Sequence, residues 1–331
     1  METMRAGRMI GIGQMVCEET EVWAPAEGDV VVRTQYASIC GSDLHIVCHG
    51  VNVPQVPCNH GFPGHEGIGE VVESRSPDLA VGDLVLTVPN AYVGTCFNEY
   101  QTLSASHCLK LPPSAIPAEQ MLMAQQMGTV IWALRKNPVD VTGKTVVVLG
   151  QGSAGLFFTH LLRRAGAGTI ITTDLTAARM KLSAEMGADV VVANTGDDLR
   201  QAVMDHTAGL GADHVIEAVG RRETLLQSVD LARPDATMLW FGLPDNEGPV
   251  PVNFHDFFRK RLTAWSVYGA QDEPDLASFA AAAEIIMRGE IDVSGVVSHI
   301  MGIEDINAAF TLANDPAADD AVKVSLSFNP D

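Results

Sequence analysis

A six-residue run, Gly150-Gln151-Gly152-Ser153-Ala154-Gly155, constrains this chain more than any other feature. It follows Thr145–Leu149, a continuous apolar run of the kind required by a strand buried on both faces. It precedes residues 156–165, which have helical spacing and close at Gly166. Glycines in this pattern carry little information alone. Between a strand and a helix they specify a tight turn where backbone N–H groups and the positive end of a helix dipole meet an anion. Gly150 permits the turn, Gly152 lets the backbone approach a pyrophosphate, and Gly155 lets helix and strand pack closely. Ser153 and Ala154 open the helix and belong to the same cradle. Asp174 ends the next strand. A carboxylate there accepts hydrogen bonds from the adenosine ribose hydroxyls and repels a 2′-phosphate, which favours NAD over NADP. Arg179, about a helical turn further on, is expected to cover the adenine or to cap a surface.

The surrounding pattern is one of repeated β-α units. Strands are expected at 169–173, 190–193, 214–218 and 237–242, with helices at 177–186, 199–206 and 223–232. Short loops between such units argue for an α/β fold with a doubly wound parallel sheet over residues 127–267. Residues 1–126 read differently, as short strands and turns such as 30–34 and 84–88, a barrel-like texture. The tail, 268–331, offers a helix at 279–288, a strand at 296–300, a helix at 306–313 and a strand at 322–328. It is too small for a domain and is expected to return to the first.

Charge and cysteine usage narrow the function class. With 21 Lys and Arg against 41 Asp and Glu, the net charge is -20. That field repels nucleic-acid phosphates and anionic membrane surfaces, so neither is an expected partner. No apolar run approaches the roughly 18 residues of a membrane helix. Met1–Met15 carries no signal-peptide pattern, so a cytoplasmic location is expected. The six cysteines, Cys17, Cys40, Cys48, Cys58, Cys96 and Cys108, are too sparse for a disulfide framework. All fall in the first third of the chain, which points to metal or thiol chemistry there.

Two segments concentrate that chemistry: Cys40-Gly41-Ser42-Asp43-Leu44-His45, and Gly64-His65-Glu66 with the glycine-rich run that follows to Glu73. Thiolate and imidazole are borderline-soft ligands suited to zinc. These two segments, then Val81-Gly82-Asp83, then the glycine loop, in this order, resemble the zinc-dependent medium-chain dehydrogenase/reductase superfamily over essentially the whole chain. Polyol, threonine and aminocyclitol dehydrogenases are the most similar branches. The resemblance implies a GroES-like catalytic domain (1–126 with 268–331), a Rossmann domain (127–267), and a reaction site in the cleft at the carboxyl ends of the sheet strands. It also implies roles. Cys40 and His65 resemble catalytic zinc ligands, and Glu66 the acid beside the metal, able to join it. Asp43 resembles the carboxylate that orients the zinc histidine. Ser42 resembles the hydroxyl that takes the alcohol proton, and His45 the far end of that relay. Zinc would act as a Lewis acid and NAD as the hydride acceptor, converting a secondary alcohol or polyol to a ketone, reversibly. A homodimer or homotetramer is the assembly the family suggests.

Two departures from the family pattern shape the expectations. Members often carry four close cysteines that bind a structural zinc. Here Pro89–Tyr100 holds only Cys96, so one catalytic zinc and no structural zinc are expected. A further ligand usually precedes the Rossmann domain, and Gln125, or Gln126 one residue on, stands in its place. A neutral amide is a poor zinc ligand, so the expectation is either that the metal binds more weakly or that Glu66 is a full ligand, with Gln125 and Glu66 both open as the residue that completes the shell. Asn90 and Tyr92 fall where pocket residues usually sit, while His160, His206 and His214 read as structural. The competing readings are a metal-free NAD(P)H reductase of the same superfamily, disfavoured by the Cys40, His65, Glu66 set, and a non-enzymatic NAD-binding sensor. The Ser42–His45 pair argues against a sensor, which has no use for a proton relay.

Overall fold

The computed structural model describes residues 3–90, 93–193, 197–315 and 319–329. The chain forms two units: Met1–Ile131 with Gly269–Asp315 and Lys323–Asp331, and Trp132–Tyr268 with Pro316–Val322.

The second unit is built on a six-stranded sheet. Its spatial order is Val190–Ala193, Thr169–Asp174, Thr145–Leu149, Ala212–Glu217, Ala232–Trp240 and Thr263–Ser266. Every neighbouring pair is parallel. Taken in chain order the strands run 3-2-1-4-5-6, the doubly wound arrangement expected from the β-α repeats. The reversal falls beside Thr145–Leu149, whose carboxyl end leads into the glycine loop. The continuous apolar runs follow from this architecture, since both strand faces are covered: Val146, Val147, Val148 and Leu149 are all fully buried. Val147, Leu149, Ile171, Val215 and Met238 of the sheet pack with Leu199, Val203 and Val229 of the helices. Each such side chain contributes about 1.5–3 kcal/mol of burial free energy.

The first unit contains an antiparallel hairpin, Thr3–Gly11 with Gln14–Glu21, and a seven-stranded sheet. That sheet runs Val297–Gly302, Lys323–Ser327, Asp29–Ser38, Gly67–Ser74, Leu84–Thr87 and Cys108–Lys110, with Tyr100–Ser104 also pairing to Asp29–Ser38. The helix Ala277–Met287 packs closely on the start of the helix Met123–Lys136. A Cβ on Gly128 would lie 2.5 Å from the Phe279 ring, so only glycine admits this approach.

Several elements differ from the sequence expectation. The helix Gly41–His49 had no apolar stripe to announce it, yet it buries Asp43, His45, Ile46 and Val47. The strand expected at 237–242 starts at Ala232, which pairs with Ala212; a register shift then carries the chain through Asp235, at φ +63°, before Thr237 pairs with His214. The edge strand Thr263–Ser266 was not foreseen, since it is mostly exposed and carries no buried alternation.

Candidate metal centre and cofactor cradle

The strand Asp29–Ser38 organises the candidate metal centre. Antiparallel pairing sets its Ala37 opposite Gly67 and its Ser38 opposite Ser325. Ser38 N donates to Glu66 O at 3.1 Å, and Ile39 N donates to Val324 O at 3.0 Å. Three sequence-distant residues, Cys40, Glu66 and Lys323, therefore arrive at one end of the sheet. Cys40 is also the N-cap of the helix Gly41–His49, and Asp43 in that helix's first turn accepts the Cys40 N–H through Oδ2 at 2.8 Å.

Cys40, His65 and Glu66 each bring a ligand atom within 4.8 Å of the others, and they form the one such cluster among the described residues. His65 Nδ1 lies 3.0 Å from Asp43 Oδ1 and 3.1 Å from the Pro63 carbonyl. Both are acceptors, so Nδ1 carries a proton and Nε2 is the nitrogen left to bind a metal. Burial pushes the Asp43 carboxyl above the usual carboxylate range. Burial works against charge on the His65 ring, but Asp43 and Cys40 together draw the ring well above its ordinary value. Ser42 Oγ lies 3.4 Å from His65 Nε2, at the margin of the cluster. His45, three residues on in the same helix, is nearly buried and meets His49 edge to face at 5.4 Å.

Glu66 is 1% exposed, and its Oε2 lies 2.7 Å from Lys323 Nζ, itself on a residue 3% exposed. Burial alone would lower the pKa of this ammonium, and the Glu66 carboxylate raises it above the ordinary lysine value. The other Glu66 oxygen, Oε1, is buried with no hydrogen-bond partner among the described residues. A buried carboxylate oxygen left in this state, beside a thiol and an imidazole, is the donor set a zinc ion takes. The residues present fit the metal.

The amide expected at Gln125 is displaced by one residue. Gln125 Nε2 donates to the His65 carbonyl at 3.1 Å, which turns this side chain to the backbone. Gln126 Oε1 accepts from the Cys40 thiol at 3.7 Å and from Lys323 Nζ at 3.4 Å. Gln126 is thus the residue that stands against the cluster. Lys323 was not singled out at all: the alternation in Val322-Lys323-Val324-Ser325-Leu326 suggests a solvated face, whereas both faces of this strand are buried.

Other first-third residues lie in local networks. The Cys58 thiol donates to Gln55 O at 2.8 Å, and His60 Nε2 lies 2.8 Å from Glu18. Cys96 is fully buried beside Thr87 and Gln101, and burial pushes its thiol up to about 12. Tyr92 lies outside the described residues.

In the second unit the glycine loop has the expected geometry. Gly150 has φ +88° and ends the strand in a tight turn. Gly152 is the N-cap of the helix Ser153–Arg164, and a Cβ there would enter open space. At Gly155 a Cβ would collide with the Gly150 carbonyl, so the close helix–strand approach requires glycine. Asp174 does more than the sequence suggested. Its Oδ2 accepts from Gln151 N at 2.7 Å, and its Oδ1 from Leu175 N at 2.8 Å and Thr176 N at 3.0 Å. The carboxylate therefore ties the glycine loop to the end of the neighbouring strand. Gln151 adds a further brace that the sequence did not reveal, donating to Gly150 O and accepting from Thr159 Oγ1. Arg179 packs against the end of the chain segment before Lys323. Its guanidinium donates to the carbonyls of Ala321 and Val322 and lies 4.0 Å from Asp174.

Residues 26–129 match the alcohol dehydrogenase GroES-like domain, and residues 154–284 match the zinc-binding dehydrogenase family. The chain is 26% identical over 327 residues to an L-threonine 3-dehydrogenase of Pyrococcus horikoshii, covering 89% of this chain and 90% of that one. It is 26% identical over 313 residues to a protein of Emericella nidulans named as D-xylulose reductase A, covering 85% of each. Among solved structures it resembles an alcohol dehydrogenase from Thermotoga maritima (TM-score 0.81, 25% identity, 98% and 99% coverage). It has the fold of an L-idonate 5-dehydrogenase from Escherichia coli (TM-score 0.81, 23% identity, 98% coverage of each). With both family domains matched in order, the glycine loop in its Rossmann setting and the Cys40, His65, Glu66 cluster in the GroES-like unit, the chain belongs to the zinc-dependent medium-chain dehydrogenase/reductase superfamily and is an NAD(P)-dependent dehydrogenase.

Proposed function

We propose that this dehydrogenase oxidises a secondary alcohol or polyol to the ketone, reversibly, with NAD as cofactor and one zinc ion per chain. The observation that carries the reading is the convergence of Cys40, His65 and Glu66 within 4.8 Å, with His65 Nδ1 tied to Asp43. Bound zinc would lower the pKa of the substrate hydroxyl, and the nicotinamide would accept the hydride. Cys40 Sγ, His65 Nε2 and a Glu66 oxygen would hold the metal, and Asp43 would fix the tautomer and orientation of the histidine. Ser42 Oγ, at 3.4 Å from His65 Nε2, would receive the substrate proton. His45 follows on the same helix face at i+3 and would take that proton onward. In the second unit, the N–H groups at the start of the helix Ser153–Arg164 would hold the pyrophosphate. The Asp174 carboxylate, beside the loop, supports NAD over NADP. A small-molecule alcohol as substrate and a homo-oligomeric assembly complete the proposal.

Zinc per chain, measured by elemental mass spectrometry on freshly purified protein, tests it together with NAD reduction on a panel of alcohols and polyols. About one zinc per chain and turnover of at least one secondary alcohol are expected. Absence of zinc after expression in zinc-supplemented medium would overturn the metal-dependent reading.

A further inference from the structure

Lys323 is a buried cation inside a cluster that reads as a cation site. Its Nζ lies 2.7 Å from Glu66 Oε2 and 3.4 Å from Gln126 Oε1, and Gln126 in turn accepts from the Cys40 thiol. Lys323 and Glu66 are 3% and 1% exposed, so water does not screen either charge. The lysine is held there by the main chain, because Ile39 N pairs with Val324 O and Ser325 with Ser38.

We propose that Lys323 is a positioning residue that competes with the metal for Glu66, holding the carboxylate when the site is empty and weakening metal affinity when it fills. The inference rests on the reading of Cys40, His65 and Glu66 as the metal cluster. The charge inventory supports it. Deprotonated Cys40 and Glu66 bring two negative charges to a divalent ion, and Lys323 places a positive charge against one of them. At Gln126 a carboxylate would offset that lysine, but a neutral amide stands there and can only share its oxygen. A buried Glu66 with neither metal nor lysine would be an uncompensated charge, which proteins do not tolerate without large loss of stability. Lys323 therefore supports the empty site and opposes the filled one.

The sign of this effect separates it from ordinary support of a metal site. Removing a neighbour that merely props up a ligand weakens metal binding, typically by roughly 10- to 100-fold. Removing a competitor strengthens it. The experiment is zinc affinity by competition with a chromogenic chelator for the wild type, Lys323→Met and Lys323→Gln, paired with urea unfolding of the zinc-free proteins. Lys323→Gln keeps a donor beside Glu66 and is the variant to read if Lys323→Met does not fold. Both variants are expected to bind zinc at least about tenfold more tightly than the wild type and to unfold at lower urea when zinc-free. In a Glu66→Gln background, Lys323→Met should change zinc affinity less than threefold, because the competition acts through the carboxylate. Equal or weaker zinc binding in the Lys323 variants, with zinc bound by the wild type, overturns the inference and leaves the metal reading standing. Failure of the wild type and every variant to bind zinc overturns both.

Discussion

Asp174→Ala removes an acceptor from three backbone N–H groups, those of Gln151 at 2.7 Å, Leu175 at 2.8 Å and Thr176 at 3.0 Å. Leu175 is exposed and can turn to water. Gln151 is fully buried and Thr176 is 2% exposed, so these two donors lose their partner with nothing to replace it. An orphaned buried donor costs about 1–3 kcal/mol. Two of them cost at least about 2 kcal/mol, and the glycine loop is the segment that relaxes. If that cost falls on ordering the loop for the cofactor, NADH binding weakens roughly 30-fold or more. Asp174→Asn separates the two roles of the side chain. It retains one acceptor oxygen and removes the negative charge, so NADH should weaken less and NADPH should gain relative to it. Fluorescence titration of NADH and NADPH against the three proteins gives both numbers. NADH affinity in Asp174→Ala within threefold of the wild type would refute the argument that this carboxylate braces the loop. An unchanged NADH to NADPH ratio in both variants would show that another residue reads the ribose.

Cys40→Ser and His65→Ala should abolish turnover while leaving NADH affinity within about threefold, since the glycine loop proposed to hold the cofactor belongs to the other unit; titration and steady-state rates on the same preparations check this, and a parallel loss of NADH binding would sink it. His214 predicts a pH dependence of stability. It is buried with Nδ1 2.6 Å from Thr237 Oγ1, and burial lowers its pKa to about 4. The folded value lies below the unfolded one of about 6.5, so the unfolded chain takes up the proton first as pH falls. Stability from this group is intact above pH 6.5 and declines toward pH 4, by about 3 kcal/mol in total. His214→Gln should flatten the pH profile of urea unfolding by that amount, and equal slopes would show that the histidine does not contribute.

Much of this protein was legible in local sequence. The glycine loop, its strand and its helix could be read together because their constraints are short-range: a positive φ at Gly150, a carbonyl too close for a Cβ at Gly155, and apolar runs demanded by a sheet covered on both faces. Cys40, His65 and Glu66 could be named as candidates because thiolate and imidazole suit zinc and their segments carry the family resemblance. Asp43 was assigned by the family resemblance, and only the structure shows its carboxylate against the Cys40 N–H and the His65 ring. The remainder depended on long-range pairing. Lys323 reaches Glu66 only because its strand lies antiparallel to Asp29–Ser38, and no periodicity in 322–328 announces that its polar face is buried. The choice between Gln125 and Gln126 turned on the rotation of the helix start, where Gly128 lets Phe279 approach and one amide faces the His65 carbonyl while the next faces Cys40. Local periodicity and turn chemistry are written in the sequence, so sequence alone determined the fold class, and the resemblance named the candidate donors. Which charges share that buried space is set by contacts hundreds of residues apart, and only the tertiary structure decided it.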